Sequence, residues 1–218
     1  MTLRGCCILG TLLLVAPLMQ ATILPPNGSG PPDAFTTSAT GPFLASTGVQ
    51  PWMAVNSLGQ VTMTGTYQAF VEADPSNVFC AGCLDFFFEV TLNTTSMDSL
   101  ARATASSFSG FMTDVGYTTG PGSISGGILP TTVDRSKSGS VVGFNFPVPN
   151  SVNPGQSAQV LEIETNATKY VAGSLEFIDG GVATVASFAP SAVPEPGTIA
   201  LALFGFAALI ARRRLAVR

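Results

Sequence analysis

Cys80-Ala81-Gly82-Cys83 and Glu162-Ile163-Glu164 are the two short stretches of this chain whose residue types and spacing could do chemistry. A C-x-x-C pair can be a redox dithiol, half of a zinc site or a small disulfide loop. Zinc would need further ligands from a partner chain, because the sequence has no histidine and its other two cysteines, Cys6 and Cys7, lie in the N-terminal leader. A redox dithiol sits at a helix N-terminus, which lowers the thiol pKa, whereas Cys83 runs straight into a strand pattern. The pair therefore reads as a structural disulfide of an oxidising compartment. Closing so short a loop contributes only about 2 kcal/mol in the chain-entropy model, enough to pin a strand entry.

Glu162 and Glu164 stand two apart in a strand pattern, so both point the same way with about 7 Å of backbone between them. Inverting glycosidases use carboxylates at comparable separations, but across a cleft. Two neighbouring acids on one strand read instead as its solvated face. Asp33, Asp74, Asp98 and Asp114, taken as loop acids, are oxygen donors of the kind calcium accepts, but they show no recognisable ligand spacing, and no metal residue is assigned. Without histidine, His-based nucleophile activation and His metal ligation are excluded. The sequence thus points to no catalytic residue and no cofactor, and the chain reads as a non-enzyme. Trp52, Tyr67, Tyr117 and Tyr170 offer flat faces on which a sugar could stack, although aromatics are more often core or rim residues.

The elements that must position these residues are strands. In "LDFFFEVTLN", Leu84, Phe86, Phe88, Val90 and Leu92 share one face and Asp85, Phe87, Glu89 and Thr91 the other, with Phe87 the one anomaly. "VTMTGTYQAFVEA" alternates in the same way from Val61, with Gly65 as a candidate bulge. Further strand patterns begin at Val141, Ala158, Tyr170 and Gly181, and Asp179-Gly180 between the last two is a hairpin signal. "SLARATASSF" from Ser99 fits a helix or a strand. Gly 23, Pro 16 and only nine Lys and Arg suit a turn-rich extracellular β protein. The expected fold is all-β, an antiparallel β-sandwich with a jelly roll as one variant, over residues 51–190, preceded by a flexible lead-in over 22–50 that holds at most one edge strand.

The two ends are different in kind. Residues 1–21 carry Arg4, an apolar core from Ile8 to Val15 and a short stretch ending in Ala21, the layout of a secretory signal peptide. At the other end, residues 191–218 hold Pro194-Glu195-Pro196, an apolar run from Thr198 to Ala211, and Arg212-Arg213-Arg214. Those 14 apolar residues make roughly 21 Å of helix against a hydrocarbon core of about 30 Å, so the span is short and its arginines belong on the cytoplasmic side. Between the ends, four basic residues stand against twelve acidic ones, a surface that repels nucleic acid.

Val193-Pro194-Glu195-Pro196-Gly197-Thr198, the short apolar segment and the arginine cluster, in that order, resemble the PEP-CTERM sorting signal. The resemblance covers about the last 26 residues. It implies an exported protein of a Gram-negative bacterium, passing at least transiently through the inner membrane and recognised there by an exosortase, a membrane cysteine transpeptidase-like enzyme. It also implies that Pro194, Glu195 and Pro196 are the recognition triplet and that Arg212, Arg213 and Arg214 fix the topology of the tail. The function expected is a structural or adhesive role at the cell surface or in an extracellular polysaccharide matrix. The alternative is a carbohydrate-binding module on the same surface.

Overall fold

The computed structural model describes residues 22–35, 41–119 and 126–192. The expected signal peptide over 1–21, the Pro194-Glu195-Pro196 triplet, the apolar run 198–211 and the arginine cluster lie outside the described residues. Within them every regular element is a strand, and no helix among the described residues is long and apolar enough to cross a membrane.

In chain order the strands are β1 (Ser29–Gly30), β2 (Asp33–Phe35), β3 (Phe43–Ser46), β4 (Gln50–Val55), β5 (Val61–Asp74), β6 (Cys83–Leu92), β7 (Arg102–Ser106), β8 (Thr113–Thr118), β9 (Thr132–Arg135), β10 (Val141–Asn145), β11 (Val160–Thr165), β12 (Tyr170–Asp179) and β13 (Gly181–Pro190). Each alternating stretch is a strand, including the ambiguous one after Ser99, which supplies β7. The stretch expected to be a flexible lead-in instead contributes β1, β2 and β3, because its short runs between prolines and glycines find edge partners in β9, β8 and β5.

The strands join into one sheet in the order β1-β9-β10-β7-β12-β13-β4-β5-β6-β11-β8-β2, with β3 added on β5. All pairs are antiparallel except β2 with β8, so the sheet is mixed. The all-β class holds. The ladder connects all these strands in one sheet and does not separate two stacked sheets. Its weakest link is between β13 and β4, where Val182 and Val55 are the single register pair. Across that line the two halves curl over a shared core: Trp52 of β4 lies 4.4 Å from Phe177 of β12, and the Tyr67 hydroxyl donates to the carbonyl of Ala186 at 2.9 Å. At the far side, Leu24 N donates to the Thr113 carbonyl beside β8, and Asn27 N to the Ser136 carbonyl beyond β9. The N-terminal segment thus ties together the two ends of the curled sheet, an arrangement that leaves few unpaired edges.

Glycine placement follows from packing. Gly65 is not a bulge: β5 runs through it, paired with Trp52 and Leu92. A Cβ there would meet the Thr91 carbonyl oxygen at 2.2 Å and the Trp52 indole at 2.8 Å, so a side chain is what the site cannot hold. Gly180 takes φ +60° in the β12–β13 hairpin, the left-handed conformation that the Asp-Gly pair anticipates.

Candidate functional site

The aromatic residues divide sharply. Trp52 and Tyr67 are buried in the core against Phe177, so neither can offer a ring to a sugar. Tyr170 is at the surface, its hydroxyl donating to the Leu44 carbonyl, and Tyr117 is half-buried on β8. The aromatic platform that a carbohydrate-binding module needs is not assembled from these four residues.

Cys80 and Cys83 are joined as a disulfide, with Cα atoms 5.2 Å apart. The bond closes the turn between β5 and β6, which is also held by Gly82 N donating to the Asp74 carbonyl at 2.7 Å. Gly82, at φ +81°, supplies the left-handed residue that this turn requires.

The carboxylates depart most from the sequence reading. Glu162 and Glu164 are not a solvated face: they are 1% and 6% exposed. Phe87 already signalled the reason. It is fully buried with Phe70 and Val160 in a second apolar cluster, so the face of β6 opposite the main core is covered as well. Register then does what spacing along the chain could not. Glu72 of β5 stands opposite Asp85 of β6, Asp85 opposite Glu164 of β11, and Glu164 opposite Asp114 of β8. Four carboxylates thus form one rung across four neighbouring strands, an arrangement of like charges that is destabilising unless something neutralises it. Asp74, at the end of β5, joins them, and oxygens of Asp74, Asp85 and Glu164 all lie within 4.8 Å of one another. Of the four acids read as loop donors, Asp74 and Asp114 belong to this assembly and Asp33 borders it, since it acts on Asp114. Asp98 lies elsewhere, beside Asp179.

Three successive residues of the disulfide-closed turn orient the three carboxylates. Ser76 donates from its amide and its hydroxyl to Asp74 Oδ1, each at 2.8 Å. Asn77 Nδ2 donates to Asp85 Oδ1 at 2.6 Å, and the amide of Val78 donates to Glu164 Oε2 at 3.3 Å. Beyond these contacts the acids are poorly satisfied: Glu72 Oε2, Asp85 Oδ2, Asp114 Oδ1 and Glu162 Oε2 are buried without a donor among the described residues.

The electrostatic consequence is uniform. Burial first, and then the neighbouring carboxylates, push Asp85 up to about 9 and Glu162 well above the ordinary glutamate value. Burial raises Glu164 to about 7 against the lowering effect of the Val78 amide, and burial together with Asp74 raises Glu72 to about 7. Asp114 is raised by burial and by Asp33. Among the described residues, no lysine or arginine is among the groups acting on any of them. Arginine is used elsewhere: Arg102 pairs with Asp134 and Asn145, and the guanidinium of Arg135 donates to the carbonyls of Gly139, Leu24, Phe108 and Phe111.

The polypeptide is therefore a β domain followed by a tail of different character, with its last described strand ending at Pro190. Residues 192–214 match the family model of the PEP-CTERM protein-sorting motif, so the chain is a PEP-CTERM motif-bearing protein. The motif implies exosortase recognition and secretion to the cell envelope of a Gram-negative bacterium. The comparisons with curated proteins and with solved structures found no match.

Proposed function

We propose that this protein is exported through the inner membrane, processed in its tail by an exosortase-type system, and retained at the cell surface or in an extracellular polysaccharide matrix, where its β domain has a structural or adhesive role without catalysis. The observation that carries this reading is the junction between domain and tail. β13 ends at Pro190, Ser191 N donates to the Lys169 carbonyl, and the sorting motif begins at residue 192. A folded domain that finishes where the signal starts can lose the signal without losing a strand. Pro194 and Pro196 lack amide donors and proline biases the residue before it against helix, a sequence character suited to recognition by a membrane enzyme. The composition agrees with a domain built for the cell exterior: it has few basic residues and its cysteines outside the leader form a disulfide.

The test is intact mass of the protein recovered from its native cell surface, with the C-terminal peptide sequenced. Processing predicts a new terminus near Glu195 or Pro196, and Glu195→Ala is expected to leave export unchanged while the unprocessed chain accumulates in the membrane fraction. Recovery of the wild-type chain ending at Arg218, or normal tail removal in the variant, overturns the reading.

A further inference from the structure

We propose that Asp74, Asp85 and Glu164, with Glu162 beside them, form a binding site for a hard divalent cation, calcium first among them. Calcium takes oxygen ligands at about 2.3–2.6 Å, so oxygens on opposite sides of one ion stand roughly 4.6–5.2 Å apart. The carboxylate oxygens of Asp74, Asp85 and Glu164, all within 4.8 Å of one another, already fit one coordination sphere.

A second, independent observation comes from Glu162. It is 1% exposed, lies on the same face of β11 as Glu164, and is influenced by Asp85, Glu164, Asp74 and Glu72, yet its Oε2 has no donor among the described residues. Asp85 Oδ2 is orphaned in the same way. A buried carboxylate without a partner is among the costliest groups a fold can hold. This fold holds several side by side, and the charges acting on them among the described residues are other carboxylates. A cation is the partner that would satisfy them all at once.

The donor set selects the class of ion. It is oxygen only, in a chain with no histidine and with Cys80 and Cys83 closed as a disulfide, which disfavours zinc and copper and suits calcium, magnesium or manganese. Magnesium demands a near-ideal octahedron and keeps much of its water, whereas calcium accepts irregular sets of carboxylates from separate elements. Here the carboxylates come from β5, β6 and β11, and the turn residues orient them, Ser76 through both oxygens of Asp74 and Asn77 and Val78 through one oxygen each of Asp85 and Glu164, the outer-shell orientation that metal sites depend on. The disulfide that follows immediately holds that turn in place.

Isothermal titration calorimetry on the full chain, stripped with a chelator, tests the site with CaCl2, MgCl2 and MnCl2 in turn. One calcium per chain is expected, with a Kd on the order of 10⁻⁵ to 10⁻³ M, the range from sensors to extracellular modules. Asp85→Asn and Glu164→Gln should each weaken binding by at least about tenfold. Glu176→Gln, on β12 in the other half of the sheet, should leave it unchanged. The amide that replaces the Asp85 carboxylate keeps an oxygen to accept from Asn77 and removes an acid that burial beside other carboxylates disfavours ionising. Asp85→Asn should therefore also melt higher than wild type in chelator while no longer responding to calcium. If Asp85→Asn fails to fold, Glu164→Gln carries the same comparison. Absence of binding by all three ions up to about 10 mM, above the weakest extracellular calcium modules, overturns the proposal. So does calcium binding that is equal in Asp85→Asn, Glu164→Gln and Glu176→Gln. These readouts are independent of the C-terminal mass that tests the sorting reading.

Discussion

The two halves of the curled sheet handle buried charge in opposite ways. On the β9-β10-β7 side each arginine meets its counterpart within the chain: Arg102 crosses β10 over Gly143, where a Cβ would collide with the guanidinium, to reach Asp134 on β9. Arg135 is 4% exposed and directs its donors to four backbone carbonyls. On the β5-β6-β11-β8 side the rung Glu72, Asp85, Glu164 and Asp114 has no such counterpart among the described residues, and burial together with the neighbouring carboxylates shifts its members towards the protonated form. Among the described residues, buried charge is thus neutralised internally on only one half. On the proposed reading, what balances the other half comes from solution, either as protons or as a cation.

The comparison breaks most visibly at Arg135. Arg135→Ala should destabilise the domain by about 3 kcal/mol or more, since several buried carbonyls lose their donors together, and urea denaturation reads the change. Next is the acidic side, where the sign reverses: in chelator Asp85→Asn should raise the melting temperature, by about 2–4 °C for each kcal/mol gained. Cys80→Ser with Cys83→Ser sharpens the same point. It should cost about 2 kcal/mol of stability in the chain-entropy model and, by freeing the turn that orients Asp74, Asp85 and Glu164, should also weaken calcium binding in a titration. The smallest effect is at the partly exposed Arg102–Asp134 pair, where Arg102→Gln should cost about 1 kcal/mol or less and leave the calcium response untouched.

The halves should also respond to pH with opposite signs. Asp134 is held below its ordinary value of 3.8, chiefly by its hydrogen bonds from Arg102, so its contribution is present at neutral pH and lost as pH falls through the depressed folded value. Asp85 near 9, and Glu72 and Glu164 near 7, lie above their unfolded values of 3.8 and 4.5. Their contribution is complete below about pH 4 and is lost as pH rises through 7 and then 9.

Much of this architecture was legible as alternation. β5, β6, β11 and the β12–β13 hairpin follow from period-two patterns and from Asp179-Gly180, because one face of each strand is buried and turn chemistry is local. The acidic rung was not legible, and the cause is physical. Neighbours in the rung are separated by 13 to 79 positions along the chain and meet only through the register of three strand pairs, which no single stretch encodes. Alternation also equates a polar face with a wet one, and here that inference failed. The sign of failure was present in Phe86-Phe87-Phe88, where three successive large apolar residues require both faces of β6 to be covered. Likewise the sequence leaves Trp52 open as a surface platform, although aromatics are more often core or rim residues, and in the fold Gly65 gives its indole room in the core.

The most direct test of the claim that the acidic half takes its counter-charge from solution is the melting temperature of the full chain at pH 5 and pH 8, in chelator and in millimolar calcium. In chelator the protein should melt lower at pH 8 than at pH 5, and calcium should raise the pH 8 value while leaving the pH 5 value nearly unchanged. Identical melting in chelator and calcium at pH 8, with no loss of stability between pH 5 and pH 8, would contradict the account.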